Sequence, residues 1–372
     1  RCFPGKNGAG MRKRADGIRF RFLRFFFRLA PGQPAGIAHR EQTVRRNPEQ
    51  EESTEKGVGE SPDPPGSPAH EIITQGGKSL RTVGDFGVSV VSTKTWNPII
   101  RTMLGENSSI EIGGDFSLRQ NEGGQMRFQL GSSGAVSSFK VAGNARLSFW
   151  SDIELGLGIS RFEVGGVLSL SGGGNGATLD FLQTEGGLFS SVDVKLGGLD
   201  CRNGKIQISS NEIVSQISLK FTNSVSSEYY GAIARGSGSP AAFNITMNAS
   251  DAENGKQVLR FSSIEPYDYY SNADISNVTV ERGELSLGMH SGMKGDLLQV
   301  SGAGAVFSAT GLVTGEIGSA RFSEAWLSAG KIRFDFSEAE GCDKIVFDGV
   351  MNVMGNFEFE LNLSSADFGA WL

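Results

Sequence analysis

The chain has 372 residues, room for one long domain or two ordinary ones, and carries 52 glycines, 25 phenylalanines and a formal net charge of −6. Its three cysteines, Cys2, Cys201 and Cys342, are too few and too scattered for a disulfide framework or a CxxC metal motif. With only His39, His70 and His290 in the inventory, a zinc centre or a histidine-based triad would rest almost entirely on His290, so no metal and no cofactor are expected.

Residues 1–46 hold 12 Lys/Arg against 2 Asp/Glu, whereas the remainder holds 23 against 39. An acidic body of that kind is a poor general binder of nucleic acid, and none is expected as a partner. Met11 with Arg12, Lys13 and Arg14 resembles the charged start of an export signal, but Arg19, Arg21, Arg24 and Arg28 interrupt the apolar run that should follow. Wound as a helix, Arg21, Arg24 and Arg28 share a face opposite Phe22, Phe26 and Leu29, a basic amphipathic pattern suited to an anionic membrane or to phosphates. The plainer reading is an upstream translation artefact or a damaged signal. Residues 47–68, "NPEQEESTEKGVGESPDPPGSP", have almost no apolar side chains to offset the entropy of ordering. Residues 1–68 therefore read as a basic, proline-rich, disordered leader and linker, and residues 69–372 as the folded part.

From His70 onward apolar and polar residues alternate. The recurring phrase is "IEIGGDFSL" (110–118), "FKVAGNARLSF" (139–149), "FEVGGVLSL" (162–170) and "VTVERGELSL" (278–287), with looser copies at 298–307 and 345–361. Each copy has two apolar residues at i and i+2, a glycine-bearing break, and two more at the same spacing, which places the apolar set on one face of each strand. Copies starting at 110, 139 and 162 lie 29 and 23 residues apart, and 278 to 298 is 20. Such periods, without helical patterning between them, predict a right-handed parallel β-helix or β-solenoid; β-sandwich modules are the alternative. A single coil cannot bury its apolar face alone, so coils stack at about 4.8 Å, each covering the next. Phe116, Phe139, Phe149, Phe162 and Phe359 are expected in the interior, each contributing roughly 1.5–3 kcal/mol. Gly113, Gly143, Gly165, Gly283 and Gly349 are expected at corners, where positive φ or close stacking leaves little room for a Cβ.

Few residues offer chemistry. "SGGGNGATLDF" (171–181) lacks the Gly-Gly-x-Gly-x-Asp spacing of a calcium turn, and no Gly-Lys-Ser/Thr follows it. Glu358 and Glu360 share a strand face, as do Arg333 and Asp335, but alternation with Phe357, Phe359 and Leu361 reads these acids as solvent-facing, so no catalytic residue is expected. "EPYDYY" (265–270) sets Tyr267, Asp268, Tyr269 and Tyr270 side by side, which could form a sugar-stacking surface or a loop packed on the solenoid.

"YYSNADISNVTVERGELSLG" (269–288) resembles the autotransporter-associated β-strand repeat in Thr279, Val280, Gly283, Leu285, Leu287 and Gly288, with Tyr270-Ser271 at the leading tyrosine. It departs from that repeat in about four extra residues before the strand and in the missing glycine pair. Residues 331–361 are similar to the segment that often follows, with Gly341, Asp343, Ile345 and Val346 in its turn. The resemblance implies a passenger-type β-helix of a bacterial protein, non-catalytic and adhesin-like, extracellular or at the cell surface or outer membrane. Cell-surface glycans or host and neighbour proteins are the implied partners. No outer-membrane barrel or other transmembrane segment is evident before Leu372, so the solenoid is expected to be truncated at its C-terminus. A β-helical polysaccharide lyase or glycoside hydrolase is the alternative function.

Overall fold

The computed structural model describes residues 69–74, 78–90, 99–105, 107–120, 126–132, 136–149, 153–172, 177–181, 191–208, 216–235, 242–261, 275–287, 292–309, 318–337 and 341–363. All of these belong to one unit, Gly36–Leu372. The leader and linker, residues 1–68, lie outside them.

Among the described residues there are 26 strands and no helix; apart from the short antiparallel pairing of Gly341–Cys342, they pair in parallel, as stacked coils from about residue 79 to 362. The expected alternation is what builds it. In Phe116–Gln120, Phe116, Leu118 and Gln120 are buried while Ser117 and Arg119 are exposed. Each coil runs through a leading strand, a corner and a trailing strand. On the leading face one column passes from Leu80 through Ile110, Phe139, Phe162, Val194 and Leu219. It continues through Ile245, Val278, Leu298 and Ala325 to Met351. The steps of 29, 23 and 20 residues read from the repeated phrase are the steps of this column, at Ile110–Phe139, Phe139–Phe162 and Val278–Leu298.

A third, return face carries the column Ile100, Phe128, Leu155, Leu179, Ile206 and Ile233. No described strand continues it beyond Ser226–Arg235, so the later coils show the leading and trailing faces alone. Where all three faces are present they close on one core. Phe116 from the trailing face, Phe128 from the return face and Phe139 from the leading face have ring centroids 5.6–6.3 Å apart, and Phe162 stacks on Phe139 at 5.9 Å. Offset and edge-on contacts of this kind add to the burial of the rings themselves.

The corners show why glycine recurs there. Asp85 Oδ1 accepts the Asp115 amide (2.8 Å), Asp115 Oδ1 accepts the Asn144 amide (2.7 Å), and Asn144 Oδ1 accepts the Val167 amide (2.9 Å). Side-chain oxygens thus relay from coil to coil at points where the backbone turns away from its ladder. The five corner glycines named above all sit where a Cβ would press on a neighbouring coil, at 2.6 Å from the Val83 carbonyl for Gly113 and 2.8 Å from that of Ser323 for Gly349. Gly283 alone of the five has positive φ, +80°, with the Gly255 carbonyl 2.6 Å from the Cβ it lacks.

Phe116, Phe139 and Phe162 are buried as expected. Phe359 is not: it is 56% exposed, and Leu361 58%. Both continue inward rows, Phe359 opposite Ile332 and Leu361 opposite Phe334, but no described strand covers them from the far side. Alternation sets the direction of a side chain; a second neighbouring layer is what buries it. The side chain of Phe149 is outside the described residues.

Candidate functional site

The densest set of charged side chains lies on the outer surface of the trailing face, over the strands Lys256–Phe261, Ile275–Leu287, Gly330–Ser337 and Phe357–Leu363. Parallel register stacks Lys256 on Glu284, and Arg333 on Glu360. Glu284 binds Lys256 through one carboxylate oxygen and Arg333 Nη1 through the other (3.0 Å), and its first oxygen also accepts the Ser286 hydroxyl (2.6 Å). Arg333 reaches on to Glu360 through Nε (3.4 Å), and Lys331 pairs with the other oxygen of Glu360. The result is a continuous ionic chain, Lys256–Glu284–Arg333–Glu360–Lys331.

Its electrostatics follow from these contacts. Burial pushes the Glu284 carboxyl up, but Lys256, Ser286 and Arg333 together outweigh it and hold Glu284 below the ordinary carboxylate range. The Lys331 hydrogen bond, with Arg333, likewise holds Glu360 low. Arg333 is disfavoured as a cation by burial, yet Glu284 and Glu360 more than offset this and raise its basicity. A general acid needs a carboxyl that is protonated near neutral pH; these two are held ionised. The arrangement is suited to locking coils together and to presenting fixed charge along the outer surface of the trailing face.

A second polar cluster lies inside the solenoid. The trailing-face inward row passes through Ser227, Gln257, Leu285, Phe307 and Ile332, so two core positions are polar. Asn223 Nδ2 donates to Ser227 Oγ (2.6 Å), Ser227 Oγ donates to Gln257 Oε1 (2.7 Å), and Gln257 Nε2 donates to the Leu199 carbonyl (3.0 Å). The Leu199 amide returns a bond to Gln257 Oε1 (3.0 Å), so one side chain ties together strands 58 residues apart. This knot adjoins the last strand of the return face. A shallow cleft of about 280 Å³ opens beside it, lined by Val167, Asp200, Ser226, Ser227 and Glu228. Asn223, Ser227 and Gln257 escape a reading by periodicity because they occupy apolar positions of the pattern; their only signal is a polar residue out of phase.

The third cluster is in the segment matched to the repeat's following turn. Asp343 accepts the Gly318 amide through Oδ1 and the Asp335 amide through Oδ2, both at 2.8 Å, and donates its own amide to the Asp335 carbonyl (3.0 Å). Burial pushes its carboxyl up to about 6, aided by Asp335 and opposed by the two amides. Asp335 belongs to the outward row yet is 3% exposed, against the expectation of a solvent-facing acid, because Gly341–Cys342 folds back antiparallel on Phe336 and Ser337 and covers that end of the strand. Cys342 is exposed; desolvation and the two carboxylates push its thiol up, away from thiolate reactivity.

Tyr267, Asp268, Tyr269 and Tyr270 lie outside the described residues, in the connection between Phe261 and Ile275. Of the four acidic and basic positions singled out on the last strands, the fold brings Arg333 and Glu360 together, leaves Glu358 exposed and buries Asp335. Among the described residues no cluster of His, Cys, Asp and Glu could hold a metal ion, and no helix is long and apolar enough to cross a membrane, which says nothing of β-barrels. No protein-family model matches the chain, and comparison with curated proteins and with solved structures gave no match. The β-solenoid is compatible with a β-helix passenger, and the likeness to the autotransporter-associated repeat rests on the residues quoted for it.

Proposed function

We propose that this chain is an exported, non-catalytic β-solenoid that stands at a bacterial cell surface and carries contact loops along its sides, in the manner of an autotransporter passenger or adhesin. The observation that carries the reading is the unbroken parallel column from Leu80 to Met351, whose layers are separated in the sequence by segments of variable length. Such repeats make extended, rigid binding surfaces because each layer contacts only its neighbours. The ionic chain through Glu284 and Arg333 supports a structural use of the lateral charges, since each carboxylate is already committed to a cation. Tyr267, Tyr269 and Tyr270 are the residues proposed to contact a surface glycan or a neighbouring protein, because tyrosine pairs an apolar ring with a polar edge.

The test is immunodetection on intact, unpermeabilised cells of the source organism, combined with protease shaving. Labelling of intact cells, lost on shaving, is expected. A signal that appears only after the cells are permeabilised would overturn surface display. A glycan array probed with the wild-type chain and with a Tyr267→Ala, Tyr269→Ala, Tyr270→Ala variant then examines the ligand patch separately.

A further inference from the structure

An outward row of the leading face changes character part-way along the stack. It begins with Arg81, Glu111, Lys140, Glu163, Lys195 and Lys220, each the register partner of the next. It runs on through Thr246, Thr279, Gln299, Trp326 and Asn352. Every position up to Lys220 is charged, and none after it is. In the charged half the side chains are committed to their neighbours: Arg81 binds Glu111 at 3.1 Å, and Glu163 binds Lys195 at 2.8 Å and Lys140 at 3.8 Å.

The uncharged half is different. Among the described residues, the hydroxyls of Thr246 and Thr279, the Gln299 amide and the Trp326 indole N–H make no hydrogen bond. In the adjoining outward row Asn277 Nδ2 donates to Asn244 Oδ1 (2.8 Å), which leaves Asn244 Nδ2 and Asn277 Oδ1 available. Trp326 is 47% exposed between Gln299 and Asn352, a large ring left in water on an otherwise polar surface. The row lies on the flank of the stack, so layers added at either end lengthen it and do not cover it.

Such a row suits a ligand with hydroxyls along its length, apolar faces on its rings and no net charge. Layers repeat about every 4.8 Å, comparable with the advance per sugar of an extended pyranose chain. Water on the hydroxyls and amides is replaced by saccharide hydroxyls bond for bond, and the indole covers the C–H face of a ring. Glu324, exposed and two residues from Trp326, disfavours an anionic chain. An added peptide strand finds no open backbone edge here, since Ser319–Leu327 is paired on both sides. We propose that the outer surface of the leading face, from Asn244 and Thr246 to Trp326, binds a linear, uncharged saccharide along the axis of the stack. Trp326 stacks on one sugar ring, and Asn244, Asn277, Thr279 and Gln299 exchange hydrogen bonds with the chain. Binding here requires neither export nor the tyrosines at 267–270, so loss of surface labelling and loss of saccharide binding are separate results.

The experiment titrates the purified full chain by isothermal calorimetry with cellohexaose, xylohexaose, mannohexaose, maltohexaose and chitohexaose in turn. Saturable binding of at least one is expected. Trp326→Ala should weaken it about tenfold, the size of one lost aromatic contact, with an unchanged urea midpoint, and Trp326→Phe should recover most of the loss. Thr279→Val, which keeps the shape and removes the hydroxyl, should weaken it about threefold. Lys195→Ala, in the charged half of the same row, should leave it unaltered, as should a rise from about 0.1 to 1 M salt. Absence of binding to all five saccharides overturns the proposal, as does full affinity in Trp326→Ala, an equal loss in Lys195→Ala, or binding that collapses in salt. Oligomers of the free chain that dissociate on Trp326→Ala in sedimentation would assign the row to a second copy and overturn it as well.

Discussion

In the coils around Phe139, three faces converge and every inward ring has a neighbour above, below and across; in the coil around Phe359 the same alternation leaves the rings half in water. The two regions share a backbone rule and differ in what surrounds it. Early coils are held by apolar contact among Phe86, Phe116, Phe128, Phe139 and Phe162. Both regions carry ionic links on the outer face, exposed ones such as Lys140–Glu163–Lys195 early and the longer, more buried chain from Lys256 to Lys331 later. Burial thus belongs to the stack of layers, and position within the stack decides what an identical phrase contributes.

The largest expected contrast follows directly. Phe139→Ala removes a ring 3% exposed and in contact with three others, and should cost about 3–5 kcal/mol in urea denaturation. Phe359→Ala should cost less than about 1 kcal/mol, because little transfer from water is undone. Equal losses at the two positions would erase the distinction between covered and uncovered layers. Next, Glu284→Gln leaves Lys256 and Arg333 facing each other without the carboxylate between them. The side chain of Glu284 is 16% exposed, and its loss should cost about 3 kcal/mol, read from the urea midpoint.

A smaller effect concerns pH. Because the Asp343 carboxyl is raised to about 6, its folded form binds a proton more readily than the unfolded chain does. That site therefore gains stability as pH falls through 6 toward the unfolded value near 4. Glu284 has the opposite sign: its stability is present above its unfolded value and is lost only at lower pH. Between pH 7 and 5 the wild type should gain about 1 kcal/mol relative to Asp343→Asn, measured by urea denaturation at each pH. A constant difference across that window would remove the buried-acid account of the hairpin. The smallest change is expected at Lys195, which pairs with Glu163 at 2.8 Å with half its side chain exposed. Lys195→Ala should shift stability by less than about 1 kcal/mol, and salt should shrink the shift further.

Much of the scaffold was legible in the residues. The spacing between Ile110, Phe139 and Phe162 gave the register, because period-two alternation admits only one phase in which all three side chains point inward. The polar knot was not legible: Gln257 occupies an apolar position, and its partners at Leu199 and Asn223 lie 58 and 34 residues away. Nor was the burial of Asp335, which depends on a hairpin folding back from Gly341–Cys342. For the candidate site, sequence placed Arg333 and Glu360 on the outward rows of two strands. It could not say that those strands are adjacent, nor that Lys256 and Glu284 join them from earlier coils.

The parallel ladder can be tested by disulfide trapping on the outer face, where Ser138 is the register partner of Arg161, and Lys140 of Glu163. Neighbouring strands about 4.8 Å apart bring such Cα atoms within disulfide range. Under mild oxidation, with crosslinks mapped by mass spectrometry, the pairs Ser138→Cys/Arg161→Cys and Lys140→Cys/Glu163→Cys should both form. Crosslinking instead of the crossed pairs, Ser138→Cys/Glu163→Cys and Lys140→Cys/Arg161→Cys, would mean antiparallel neighbours and would contradict the solenoid.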